Sequence, residues 1–179
     1  DNNTYGKWGC GLILSSGKDN VAYNNIAYGN FAGLCIQYRA TNNRLYNNIS
    51  YDNDTYGIFV GSDTNLSARI ENNTIYNNGL YGVMVGQGSK NAVIRNNISY
   101  QNKSDNIYLA PDDQTGTEVS HNLTAEDPKF FSQETKNFRL QVGSPAIDNG
   151  TIIIEIMTDY DGVERSKGKN YDIGAFEFS

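Results

Sequence analysis

The 179 residues include one histidine, two cysteines and three prolines. The first two types are too scarce to build a metal cluster or a Ser-His-Asp set with confidence. No run of about 18 or more apolar residues exists to span a bilayer; the longest apolar stretch, Ile152 to Met157, is interrupted by Glu155. Basic residues are outnumbered, 14 Lys and Arg against 20 Asp and Glu, for a net charge of −6. Nucleic-acid binding needs clustered Lys and Arg to displace counterions from phosphates, so nucleic acid is excluded as a leading partner. Leucine is also scarce and no 3.6-residue periodicity runs through the chain, which argues against a leucine-rich repeat. The sequence is not short of apolar residues: 38% hydrophobic and 12% aromatic, at a length suited to one domain, exclude a disordered polar chain. Asparagine is in excess, with 25 residues, and tyrosine follows with 13.

The asparagines repeat. The segments YNNIAYGN (23–30), YNNISYDN (46–53), ENNTIYNN (71–78) and RNNISYQN (95–102) are followed by a degenerate copy, SHNLTAED (120–127). The second Asn of each pair falls at Asn25, Asn48, Asn73, Asn97 and Asn122, in steps of 23, 25, 24 and 25. A second marker keeps the step: apolar residues two apart follow Gly33, Gly57, Gly82 and Asn106, with Gly11 as the first member. Period two means a strand with one face buried. With short strands before and after each Asn pair, the pattern predicts three strands per coil in a parallel β-helix, where a residue repeated every turn forms a column. Asn suits the bend because it tolerates left-handed backbone geometry, and its amide can donate to one coil and accept from another. His121 takes the first-Asn place of the fifth copy. Tyr28, Tyr51, Tyr76 and Tyr100 form a further column, readable as a stabilising ladder or as a surface for sugar rings. Glu71 and Arg95, 24 residues apart, are expected to pair on the surface for well under ~1 kcal/mol.

After Asp127 the period is lost, which divides the chain into coils over 1–127, the first incomplete, and a closing segment over 128–179. That segment is expected to cover the apolar end of the stack and its strand edges, with a strand over Ile152–Met157, a turn at Asp161-Gly162 and a closing strand over Ile173–Phe178. Residues 1 to 9 read as the tail of an earlier rung. Upstream β-helix sequence, another protein chain, or a further copy in a filament is expected to cover that end.

The NNISY-type coils, with DPKF, NFRL, GSPAID, TDYDG and YDIGAFEF as their closing motifs, resemble the pectate-lyase-like superfamily of secreted and surface right-handed parallel β-helix proteins. The resemblance covers nearly the whole chain. It implies an all-β, single-stranded right-handed parallel β-helix of about five coils with a C-terminal non-repeat β cap, and a secreted or cell-surface location. It specifies fold strongly and function weakly, since the superfamily includes polysaccharide lyases, glycosidases and surface proteins of unknown activity.

In the lyases of that superfamily, polysaccharide lies along the outward face of one parallel sheet, with a Lys or Arg base and often carboxylates holding calcium. The equivalent outward residues here are Cys35, Phe59, Met84 and Tyr108, an apolar stripe. Just beyond lie the catalytic candidates Arg39, Asp63 and Asp112, with Asp113 next to the last; Asp63, Asp112 and Asp113 could build a calcium site or an acid/base pair, although Asp63 and Asp112 are two coils apart, about 10 Å. Phe59 and Tyr108 join Tyr28, Tyr51, Tyr76 and Tyr100 as glycan-binding candidates. Calcium is the cofactor to consider: Asp159 and Asp161 before Gly162 resemble the opening of a calcium loop, but the remaining EF-hand spacing is absent. Cys10 and Cys35 lie about one coil apart, which permits a bridge between rungs. If Gly11 matches Gly33, however, their columns differ by three positions, about 10 Å along a strand. Nine Asn-x-Ser/Thr sequons occur, several generated by the NNIS repeat itself. The expected function is an extracellular β-helix domain for polysaccharide binding or surface display, not a complete enzyme; the alternatives are a polysaccharide lyase or glycosidase, or a fragment of one, and a structural filament subunit.

Overall fold

The repeats form rungs of three strands each. The computed structural model describes residues 9–61, 63–86, 88–111, 115–165 and 168–178. A first sheet contains β1 (Cys10–Ser15), β4 (Ala32–Gln37), β7 (Tyr56–Gly61), β10 (Tyr81–Val85) and β13 (Ile107–Leu109). A second contains β2 (Val21–Tyr23), β5 (Arg44–Tyr46), β8 (Arg69–Glu71), β11 (Val93–Arg95) and β14 (Glu118–Ser120). A third contains β3 (Ile26–Tyr28), β6 (Ile49–Tyr51), β9 (Thr74–Tyr76) and β12 (Ile98–Tyr100). Every pairing within these sheets is parallel, so the chain is a right-handed parallel β-helix. The five Asn segments suggest five coils. The stack makes about four full turns, because the fifth rung meets the third sheet only through a single bridge from Ile98 to Leu123 and then leaves it.

Inside, the period-two residues stack in columns, such as Leu34, Ile58 and Val83 in the first sheet and Leu45, Ile70 and Ile94 in the second, all fully buried. A buried Leu or Ile contributes about 1.5–3 kcal/mol, so these columns are the main apolar contribution to stability. The corners use a two-residue device. Between the second and third sheets the first Asn of each pair, Asn24, Asn47, Asn72 and Asn96, sits at φ between 51 and 57, with His121 at φ 50. The next residue is the ladder: the backbone N–H and Nδ2 of Asn25 both donate to Oδ1 of Asn48, a pattern repeated through Asn73 and Asn97 to Asn122 at 2.9–3.0 Å. The corner back to the first sheet repeats the device, with Asn30, Asn53, Asn78 and Asn102 as a second ladder that ends on Oδ1 of Asn106.

The C-terminal residues lie along the flank of the coils. An antiparallel hairpin of β15 (Phe130–Ser132) and β16 (Asn137–Leu140) places Phe130 and Phe138 against Tyr51 and Tyr76. Thr151, Thr158, Asp172 and Gly174 then bond to the corner between the second and third sheets. Nδ2 of Asn47 donates to the Thr158 carbonyl at 2.8 Å, Nδ2 of Asn96 to that of Thr151 at 2.7 Å, and Nδ2 of Asn72 to those of Asp172 and Gly174 at 3.2 and 3.3 Å. Ile152–Met157 and Ile173–Phe178 are not strands: the Ile156 N–H closes a turn on the Ile153 carbonyl, and the N–H groups of Ile173, Gly174 and Ala175 go to the separate partners Ala146, Asn96 and Thr74. At the end of the stack a cavity of about 570 Å³ is lined by Asn106, Ile107, Leu109, Val119, His121 and Asn122 among others.

Candidate functional site

The first sheet's outward face is shaped by a bend at Gly33, Gly57 and Gly82. A Cβ on Gly33 would lie 2.0 Å from Ser50 Oγ and one on Gly57 2.4 Å from Ile75 Cγ2, so these positions face into the coil and admit only glycine. The next residue, Leu34 or Ile58, also points into the core, and the usual alternation slips by one. Residues three apart consequently meet on the outer face: Tyr56 stacks on Phe59 at 5.1 Å. The same bend joins Cys10 to Cys35 in a disulfide with Cα atoms 6.1 Å apart, although Cys10 is in register with Ala32. The 10 Å separation expected along a straight strand does not apply to a bent one.

Around this bridge an aromatic strip crosses the sheet. Phe31 meets Tyr56 edge-on at 5.8 Å, Tyr56 stacks on Tyr81 at 6.0 Å and Tyr81 on Tyr108 at 4.3 Å, the last pair within 6° of parallel. Phe59 and Tyr108 are thus brought into one cluster, together with Tyr56 and Tyr81, which sequence reasoning missed. Their signal was a Tyr-Gly pair, 56–57 and 81–82, one rung apart. Burial, then the neighbouring Tyr81 phenol, raises the Tyr56 hydroxyl above its ordinary pKa and keeps it a donor. At the rim, Arg39 Nε donates to Asp63 at 2.8 Å, and both side chains are open to solvent. The Thr64 N–H and then the Arg39 guanidinium hold the Asp63 carboxyl below the usual range. Tyr38 and Arg39 both have positive φ, 57 and 61. Asp112 and Asp113 lie outside the described residues, so no pairing of Asp63 with Asp112 is drawn.

The other candidates lie elsewhere. Tyr28 stacks on Tyr51 at 5.1 Å, but Phe138 and Lys136 cover Tyr51 and Tyr76, and Tyr100 packs in the same buried cluster; Tyr28 alone is largely exposed, at 60%. Asp159 and Asp161 do not fit a calcium loop. Asp159 Oδ1 accepts the N–H groups of Asp161 and Val163 and its Oδ2 that of Glu177, while Asp161 is bidentate to Arg139 at 2.8 Å. Among the described residues, no group of three or more His, Cys, Asp or Glu is arranged to hold a metal ion.

Two ionic clusters are buried. Glu71, expected at the surface, is 0% exposed and bonded by both Arg44 and Arg95, because the flanking segment closes over that corner. Under the same segment Arg165 reaches Glu177 at 2.7 Å and Asn47 Oδ1 at 2.6 Å. Burial pushes the Glu177 carboxyl up to about 7 despite the arginine. The Glu71 cluster ties three rungs of the second sheet together, the Arg165 cluster fastens the flank to the coils through Asn47, and both lie away from the first sheet. Six sequon asparagines, Asn48, Asn53, Asn65, Asn72, Asn97 and Asn102, are buried, whereas Asn149 is exposed.

A bent, disulfide-linked coil with stacked aromatics on one flank defines a β-solenoid domain with an accessible lateral face. The family described as "Right handed beta helix region" matches residues 1–143, and the chain belongs to that family. Among solved structures, that of pectate lyase Pel9A is similar, with a TM-score of 0.53 and 16% identity over 95% of this chain and 62% of its own. The chain therefore spans under two thirds of that protein's length, and the likeness is one of fold. No curated protein sequence matches the chain. Among the described residues, no helix is long and apolar enough to cross a membrane.

Proposed function

We propose that the chain is an extracellular β-helix domain that binds polysaccharide on the outward face of its first sheet. The carrying observation is the strip of Tyr56, Tyr81, Met84 and Tyr108, partly exposed around the buried Phe59 while the C-terminal residues cover other corners. Amphipathic rings present apolar surface and a hydroxyl together, which suits a sugar's mixed surface. The Cys10–Cys35 bridge supports an oxidising, extracellular setting. The fold likeness to a pectate lyase supports polysaccharide as the ligand class, and the Arg39–Asp63 pair supports binding over turnover, since a base tied into an ion pair is not free to take a proton.

Affinity electrophoresis through gels containing plant and bacterial polysaccharides tests this, with retardation expected for the wild type and lost in Tyr81→Ala. Release of unsaturated products or reducing ends, abolished in Arg39→Ala, would replace the binding reading with the lyase or glycosidase one.

A further inference from the structure

The charge pattern of the coils narrows the ligand, on the reading just given. No residue of β1, β4, β7, β10 or β13 is charged. The second sheet, with equally regular strands, carries Arg44, Arg69, Glu71, Arg95 and Glu118. At the rims of the first sheet, Arg39 and Asp63 neutralise each other at 2.8 Å, and the exposed Lys103 and Asp105, of opposite charge, precede β13. We propose that the ligand of this face is an uncharged glycan rather than a uronate or a sulfated chain.

Three features support the assignment. A polyanion approaching a protein of net charge −6 meets long-range repulsion, and no strand of this sheet carries a cation to hold it. The stacked rings of Tyr81 and Tyr108 cover one another's faces, so the column offers ring edges and phenol hydroxyls, which match sugar C–H and O–H groups without any ion. Beside them Phe59 and Met84 fold down over Gly61 and Gly86. A Cβ at Gly61 would lie 2.4 Å from the Phe59 ring and one at Gly86 2.7 Å from Met84 Cε, so the two glycines make room for an uncharged surface in which Phe59 is buried and Met84 partly exposed.

The test is titration calorimetry of the whole chain with neutral chains (β-glucan, galactan, galactomannan) and acidic ones (polygalacturonate, alginate) at low and high salt. The expected result is binding to at least one neutral chain, with Kd changing by less than about twofold with salt and rising about tenfold in Tyr81→Ala. Tyr81→Phe and Tyr108→Phe, which keep the rings, serve as folded controls and should weaken binding by less. Binding confined to acidic chains and weakened by salt overturns the charge assignment while leaving polysaccharide binding intact. Binding to none of the chains removes both. Concentration-dependent self-association lost in Tyr81→Ala assigns the face to a second copy and also overturns the proposal.

Discussion

Truncating Asn73 isolates what the ladder contributes. Its side chain is fully buried in a middle rung and takes part in four hydrogen bonds. Nδ2 donates to the Leu45 carbonyl at 3.0 Å and to Asn97 Oδ1 at 2.9 Å, and Oδ1 accepts the N–H and Nδ2 of Asn48 at 2.9 and 3.0 Å. Asn73→Ala leaves the buried Asn48 N–H without its acceptor, at about 1–3 kcal/mol for an orphaned group, and removes three further bonds, to the Leu45 carbonyl, Asn97 Oδ1 and Asn48 Nδ2, at about 0.5–1.5 kcal/mol each. Allowing for partial relaxation, the expected loss is about 3–5 kcal/mol, a large share of the roughly 5–15 kcal/mol of a typical domain. Asn25→Ala in the first rung is the internal comparison. Asn25 is partly exposed and its side chain makes two hydrogen bonds, so about 1 kcal/mol is expected. Urea unfolding followed by circular dichroism measures both. Equal losses at the two positions, or a loss below about 1 kcal/mol at Asn73, would refute the ladder as a buried, cooperative element.

Other predictions concern the bridge and the buried ions. Replacing Cys10 and Cys35 by Ser should lower stability by about 3 kcal/mol, as the chain-entropy estimate for a loop of this size gives, seen as a lower melting temperature that reductant reproduces in the wild type. Glu71→Ala leaves Arg44 and Arg95 partly buried without their carboxylate and should cost about 3–5 kcal/mol, whereas replacing all three by apolar residues should cost much less. Glu177 faces Arg165, Asp172 and Asp159; its folded pKa of about 7 exceeds its ordinary 4.5, and burial raises Asp172 as well. Between those values the folded chain keeps a proton that the unfolded chain has lost, so stability falls as pH rises from 4.5 to 7. Glu177→Gln should flatten that slope in pH-dependent melts.

The coil was legible because its rule is local: a left-handed residue, then an amide facing its copy one rung away, leaves a period in the sequence. The second ladder was missed, although each repeat string closes on its member, Asn30, Asn53, Asn78 or Asn102, at the same step. The bend at Gly33, Gly57 and Gly82 was not, because a straight strand was the geometry assumed, and with it went the pairing of Cys10 with Cys35 and the clustering of Tyr56 with Phe59. The path of the C-terminal segment was hidden for another reason. Its partners, Asn47, Asn72 and Asn96, are more than fifty residues away and were already accounted for by their backbone role. The acids at 159 and 161 looked like ligands because spacing alone does not reveal that backbone N–H groups and Arg139 occupy their oxygens.

The most direct test of the account is an NMR titration of the labelled chain with the neutral oligosaccharide that binds best. Shifts confined to Tyr56, Tyr81, Met84, Gly86 and Tyr108 are the predicted result. Shifts centred on the second sheet's Arg44 and Arg69, or on the flanking residues 151–174, would contradict it.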